Sequence, residues 1–439
     1  MEKIIEKILA KAGKMPCEVI FVSNKSALTR IGDNEISQNV YTDSGYAEVR
    51  VQSEGKNFKF SLNKFDDETL NNAFKNAQMS LKYMKKESNF FPLLKTSVKI
   101  DHKRNFNKEA AELSPDFRAK KAKEITSYCS KKNLTAYGII SNGSMGLALA
   151  NSQGVFQKYE ESFLDYELTV KCGQGYGAAE AHSHLCDIDF SKINETAVEK
   201  AVLAKSPKDI KPGKYKVILE PQPANELLSF LGYYGFAGQA YAEKRSFVSE
   251  NLGKKMFADF INVQDNALDG KACGMPFDFE GFPKQKVDLI SKGVIKSIVT
   301  DRDISKKTGF AYTGHSLAQP NSYGPLPINM EMKEGDTSLE EMIKNCGYGL
   351  LITQFHYTNC LKPKEVEMTG MTRNGTFLVK DGKIVHAVKN LRFTQSAIEA
   401  FKNIEAVGDK AEVFGGYFGK TACPALLVKD FNFSSGTEF

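Results

Sequence analysis

Tryptophan is absent from the chain, no two cysteines stand at CxxC spacing, and no apolar run approaches the roughly 20 residues that a membrane-spanning helix needs. The missing tryptophan bears on no function. The eight cysteines, at positions 17, 129, 172, 186, 273, 346, 360 and 423, are widely scattered. In a long chain without a secretion signal they read as reduced, mostly buried thiols rather than a disulfide framework. A strong charge of one sign is lacking too: 59 basic against 53 acidic residues leave a formal charge of +6. Lys and Arg are interleaved with Asp and Glu instead of forming a stripe, so direct nucleic-acid binding is not expected. The opening MEKIIEKILAKAGK lacks the uninterrupted apolar core of a signal peptide and reads as an amphipathic helix with Ile4, Ile5, Ile8 and Leu9 on one face. A cytoplasmic protein without a membrane partner is the expectation. Internal repeats and low-complexity segments are also absent.

What is present describes an ordinary globular protein, 41% apolar and 26% charged over 439 residues, long enough for two or three domains. Short β-like runs at Glu18 to Val22, Val40 to Tyr41, Tyr46 to Val51 and Asn57 to Leu62, broken by turns at Gly45 and Glu54-Gly55, predict an antiparallel meander. Asp66 or Asp67 caps a helix with Leu70, Ala73, Phe74, Ala77 and Leu81 on one face. Ser114-Pro115 opens a second helix to Cys129, with proline at the first helical position. Strands resume at Thr135 to Ser141 and run to about Ser183, and a third helix covers Phe190 to Ala204. The polar stretch SPKDIKPGKYKVILEP then marks a domain boundary near residue 210 and leads into a strand at Tyr215 to Leu219. The predicted class is α+β: an N-terminal antiparallel sheet with packed helices over residues 1–208, and a β-rich C-terminal domain of short strands and few helices over 209–439.

Within the second part, TGMTRNGTFLVKDGKIVHAVKNLRFTQS (Thr369 to Ser396) reads as a hairpin. Thr376 to Val379 and Ile384 to Val388 are joined through Asp381-Gly382, the pair that best tolerates two positive φ angles. Helical spacing of Ala397, Ile398, Phe401 and Ile404 follows, with Thr394 or Ser396 as N-cap.

Five segments, in order, carry a resemblance. They are Leu28 to Lys56, KPGKYKVILEP (Lys211 to Pro221), FDFEGFPKQKVDLISKGVIKSIVTD (Phe277 to Asp301), the loop Tyr312-Thr313-Gly314-His315-Ser316, and the block MTRNGTFLVKDGKIVHAVKNLRF. Together they resemble the TldD/PmbA family, whose TldD-type members are zinc peptidases and whose PmbA (TldE) type members lack the metal site. TldD-type members carry HExxxH just after the strand that leads into the second domain, and a cysteine near the C-terminus completes the zinc site. Neutral imidazoles and a thiolate hold the ion, and the Glu takes a proton from its water. In this chain the corresponding window, Pro221 to Leu231, contains no histidine, and none occurs between His184 and His315. Glu226 stands there as a general-base candidate beside Asn225, and its plain reading is a solvated carboxylate in the first turns of a helix. At the C-terminal position Gly415-Gly416-Tyr417-Phe418-Gly419-Lys420 aligns with the family's glycine-flanked Cys-Gly-Lys, placing Phe418 where the thiol would be, while Cys423 reads as a buried strand residue.

The resemblance therefore implies a PmbA/TldE-like chain with no catalytic residue, no metal ligand and no cofactor of its own, zinc belonging to a partner subunit. It further implies a homodimer, or a heterodimer with a TldD-like subunit, enclosing a cavity for unfolded peptides. On that footing the family's older label, modulator of DNA gyrase, is indirect. Candidate groove residues are Asn225, Glu226, His315, His356, Arg373 and Phe418. A rival metal set is His182, His184 and Cys186 in AEAHSHLCD, which share a face if extended, with Cys172 approaching across a hairpin. His356 and Cys360 in HYTNC are a possible hydrolase pair if a third group orients them. Against these stand ordinary strand and loop roles. Arg373 and Arg392 flank the hairpin and suit a substrate carboxylate, or a neighbouring Asp or Glu. The glycine-rich run Cys172 to Gly177 is not followed by the Lys-Ser/Thr helix of a phosphate loop. Two further expectations stay open beside the silent subunit: an active peptidase with displaced metal ligands or a Cys-His pair, and a stand-alone peptide-binding homodimer.

Overall fold

The computed structural model describes residues 1–88, 90–95, 100, 105–416 and 419–437. Two sheets organise it. The first contains β1 (Cys17–Gly32), β2 (Glu35–Ser53), β3 (Lys56–Leu62), β4 (Thr135–Asn151), β5 (Phe156–Cys172) and β6 (Gly175–Ser183), in the spatial order β3-β2-β1-β4-β5-β6. All its pairings are antiparallel.

The first two strands are longer than the sequence reading proposed. Their turn is at Asp33-Asn34, both at positive φ (50° and 66°), a two-residue geometry that matches strand twist. Gly45, expected as a turn, instead lies within β2 opposite Ser23. A Cβ there would stand 2.8 Å from the Phe21 ring, so the glycine answers a close approach and not a chain reversal.

One face of this sheet is covered by helices. Ile5 and Ile8 of the helix Glu2–Ala12 pack with Leu70 and Phe74 of Asp67–Tyr83 on Val19, Phe21 and Val49. Ile125 and Cys129 of Pro115–Lys131 pack with Ala197 and Ala201 of Phe190–Leu203 on Ile140 and Tyr166. Asp66, Ser114 and Asp189 each accept a first-turn backbone N–H, which fixes where these helices begin. Residues of opposite parity on β1 and β4, Ile20, Val22, Leu147 and Leu149, face the other way and meet Met275 and Phe277 from the second half of the chain.

The second sheet has eleven strands: β7 (Gly213–Leu219), β8 (Val263–Asp265), β9 (Val287–Ser291), β10 (Val294–Ile295), β11 (Met330–Met332), β12 (Tyr348–Lys362), β13 (Glu367–Lys380), β14 (Lys383–Ala387), β15 (Leu391–Ser396), β16 (Ile404–Gly416) and β17 (Gly419–Gly436). Several are long, not short as expected. β7 pairs with both β12 and β17, so β7-β12-β13-β15-β17 closes into a ring. Phe355, Phe393, Phe431 and Phe433 pack in its core with Ala224, Leu227, Leu228 and Leu231 of the helix Pro221–Leu231. The β13–β14 turn is Asp381-Gly382, with φ of 49° and 77°. The molecule is thus a two-domain α+β protein with a helix-covered antiparallel sheet and a larger, more β-rich C-terminal part. No helix among the described residues is long and apolar enough to cross a membrane.

Candidate functional site

Where β7 ends, Glu220 precedes Pro221, whose fixed φ suits the first turn of a helix. The helix Pro221–Leu231 buries Ala224, Leu227 and Leu228 and turns Gln222, Asn225 and Glu226 away from the core. Glu226 is held at both oxygens: Gln222 Nε2 donates at 2.8 Å and Thr358 Oγ1 at 2.5 Å. Gln222 Oε1 in turn accepts the Phe355 N–H at 3.0 Å. The Asn225 Oδ1 atom is buried without a hydrogen-bond partner.

β6 and the helix Phe190–Leu203 form the facing wall. Lys200 Nζ reaches Glu220 at 2.6 Å. Burial pushes the Glu180 carboxyl up, with Glu167 and Glu226 adding to the effect against His182 and Lys200. Glu412 on β16 is reachable by water yet crowded by protein; burial first and Glu220 next push its carboxyl up to about 7. For His182 burial works downward, but the Asp165 carboxylate at 3.1 Å outweighs it and the imidazole is raised. The His182 ring lies 6.3 Å from Phe414. Glu180, Glu220 and Glu412 therefore gather around Lys200, and Glu226 adjoins Glu180.

At the outer end His356 and Arg373 meet, Arg373 Nη1 donating to His356 Nε2 at 2.5 Å. Burial first and Arg373 second lower the imidazole's pKa, against the pull of Glu226. A guanidinium has no lone pair to offer, so His356 is fixed as a neutral acceptor. Cys360 is held instead by the Tyr234 hydroxyl, and burial raises its thiol despite that bond. A raised thiol is the wrong direction for a nucleophile.

The remaining sequence candidates lie elsewhere. His315 is 2% exposed, its Nε2 3.0 Å from Asp265 Oδ1 and its Nδ1 3.0 Å from Thr313 Oγ1. It belongs to a buried polar lattice with Asn329, which donates its N–H to Asp265 at 2.8 Å and accepts Lys284 Nζ at 2.7 Å. The strand reading of AEAHSHLCD stops at Ser183, whose Oγ accepts the Leu185 N–H and donates to Asp187, turning the chain out of the sheet. His184 and Cys186 lie beyond that turn, and Cys186 is exposed. Cys172 sits at the opposite end of the β5–β6 pair from His182. Among the described residues no three of His, Cys, Asp and Glu are arranged to hold a metal ion. Arg392 is exposed and contacts Met371 Sδ at 3.8 Å. Phe418 lies outside the described residues.

In the register of HExxxH with Glu226 as its carboxylate, the two histidine positions hold Asn225 and Phe230. An amide and a phenyl ring, the latter 6.0 Å from Tyr234, do not fit zinc. Of the sequence candidates, Asn225, Glu226, His356 and Arg373 lie in one neighbourhood, and Glu180, Lys200, Glu220 and Glu412, which the sequence does not single out, adjoin it. Those four come from separate elements, and no local pattern links them.

A family profile described as the PmbA/TldA metallopeptidase C-terminal domain matches residues 212–435. A protein named metalloprotease TldD homolog from Buchnera aphidicola is 26% identical over 52% of this chain and 48% of its own length. The metalloprotease PmbA homolog of Haemophilus influenzae is 23% identical over 67% of this chain and 64% of its own. The chain thus spans about half to two thirds of these curated relatives. The crystal structure of TldE from Thermococcus kodakarensis superposes with a TM-score of 0.83 at 20% identity, covering 98% of this chain and 99% of that one, a likeness that shows the fold. The profile match, spanning just over half of the sequence, makes the chain a member of the PmbA/TldD metallopeptidase-related family.

Proposed function

We propose that this chain is a PmbA/TldE-like subunit without peptidase chemistry of its own, which encloses unfolded peptide together with a zinc-bearing, TldD-like partner. The N-terminal domain (residues 1–208) and the C-terminal domain (209–439) supply the two walls of the groove. The observation that carries this reading is the helix Pro221–Leu231. It offers Asn225, Glu226 and Phe230 in the HExxxH register, with both oxygens of Glu226 already occupied by Gln222 and Thr358. A carboxylate so engaged is set up to position neighbours rather than to accept a water proton.

The test mixes the purified chain with a TldD-like subunit and follows light scattering on a sizing column beside cleavage of an unstructured peptide. The expected result is a stable two-subunit complex that cleaves, and a chain that alone retains peptide without turnover. Turnover by the chain alone, abolished by Glu226→Gln, overturns the proposal. A homodimer that binds peptide but never the partner would point to a stand-alone binding protein.

A further inference from the structure

A second cavity, of about 740 Å³, lies on β1 and β4 at the N-terminal end of the helix Pro115–Lys131 and shares no lining residue with the groove. Arg118 forms part of its wall and is only 2% exposed. Every polar contact of this guanidinium is neutral. Nε donates to Thr29 Oγ1 at 3.3 Å, Nη1 to the Leu113 carbonyl at 3.0 Å and to Asn142 Oδ1 at 2.5 Å, and Nη2 to Asn39 Oδ1 at 3.4 Å.

Among the described residues no carboxylate pairs with Arg118. The other deeply placed arginines differ: Arg50 meets Glu18 at 2.9 Å, and Arg302 bridges both oxygens of Glu280. Amide and hydroxyl dipoles orient the Arg118 fork but leave its unit charge uncompensated, a costly state for a cation out of water. Burial alone draws its pKa down, with no acidic neighbour acting the other way.

The surroundings add positive potential. Lys25 lines the same space, its nearest acid, Asp43, being 3.8 Å away. Ser114 and Pro115 bring the start of a 17-residue helix to the cavity, and with it the positive end of the helix dipole. The acids on the lining, Glu112 and Glu160, are largely solvated and stand beside Lys108 and Lys158 at 3.8 and 3.4 Å. The half-open ring surfaces of Tyr41 and Phe106 supply an apolar margin.

We infer that this cavity binds the carboxylate of a ligand with an apolar body, the chemistry of a peptide C-terminus that ends in a hydrophobic residue. One uncompensated cation calls for a monoanion. A phosphate dianion would carry surplus charge into a space that Glu112 and Glu160 already border. With Nε and both Nη1 hydrogens engaged, one Nη2 N–H of Arg118 remains for a carboxylate oxygen, and Lys25 supplies a second, mobile donor.

Isothermal titration of the full chain at low ionic strength tests this with three probes: acetyl-Ala-Ala-Phe as the free acid, the same peptide amidated, and inorganic phosphate. The free acid binds, and the amide and phosphate bind at least about tenfold more weakly. Arg118→Lys, which keeps the charge but cannot hold Thr29, Leu113, Asn142 and Asn39 and still reach the ligand, weakens the acid by about tenfold. Arg118 also ties β1, β2 and β4 to the loop that precedes its own helix, so Lys25→Glu serves as the second variant. It touches none of the Arg118 contacts and weakens the acid by about three- to tenfold, an effect that fades with added salt. Equal binding of acid and amide, preference for phosphate, or no binding of the acid overturns the inference. The inference does not rest on the peptidase-partner reading, because every arm uses the chain alone and none measures cleavage.

Discussion

His356 reports on its neighbour. Burial and Arg373 hold its pKa below the ordinary value of about 6.5. Arg373→Gln removes the second cause, so the imidazole midpoint rises, as an NMR titration of its ring protons would register; an unmoved midpoint would leave burial as the whole cause. A lowered histidine is neutral when folded over a range where the unfolded chain is charged, so its contribution is present above about pH 6.5 and is lost as pH falls through that value. Arg373→Gln makes this acid-side loss smaller. A second expectation concerns Glu226→Gln. The amide keeps an oxygen for Thr358 or Gln222 but not for both, so peptide retention falls severalfold while the fold stays intact by circular dichroism. Asn225 and Glu226 stand out in the sequence because the HExxxH register gives each a position. Glu180 carries no such mark, since strand alternation says which face a side chain is on and nothing about what arrives there from Glu220 or Glu412.

Elements were more readable than residues. Caps at Asp66, Ser114 and Ser396 and the Asp381-Gly382 turn lie where local chemistry set them, because a cap or a primed turn is decided within a few residues. Glycine was read less well, since its reason is often distant. The glycines of the run Cys172 to Gly177 answer a close approach between helix and strand. A Cβ at Gly175 would stand 1.8 Å from the Ala204 carbonyl oxygen, and one at Gly177 2.3 Å from the Ala201 nitrogen. These glycines let the backbone of the helix Phe190–Leu203 lie directly on β6, which puts Lys200 beside Glu220. Gly177→Ala is expected to cost about 3 kcal/mol as overpacking forces the two apart. An unfolding free energy, from urea titration, lowered by less than about 0.6 kcal/mol would refute the close approach. Because the same displacement moves Lys200, the variant should also weaken peptide retention.

Across the whole molecule, the contact between domains is both apolar and charged. Ile20, Val22 and Leu147 meet Phe277, while Glu18, Arg50, Glu280 and Arg302 form a buried chain of alternating charge, with Arg302 Nη1 also donating to the Pro92 carbonyl at 2.7 Å. Removing one member leaves its partner stranded, so Glu280→Gln should cost about 3–5 kcal/mol. In calorimetry it should split one unfolding transition into two; a single transition would mean the domains do not depend on this chain of charges. The sequence showed FDFEG only as a family segment, since neither Glu18 nor Arg50 is near it in the chain. Asp278 of that segment is raised to about 7 by burial and then Glu280. A raised carboxyl takes up a proton more readily in the folded state, so its contribution is full below about pH 4 and is lost as pH rises to 7. Urea midpoints should therefore fall across that range, and fall less in Asp278→Asn.

The closed ring of the second sheet also dictates an order of events during synthesis. β7 leaves the ribosome first among its strands, yet its two partners are β12 and β17. Until residue 436 has emerged, β7 has at least one open edge and the helix Pro221–Leu231 lacks its cover, while the six-stranded N-terminal sheet already has every strand it needs. The nascent chain is thus a finished sheet trailing an unfinished barrel, with a β7 edge left open for pairing until β17 can join it.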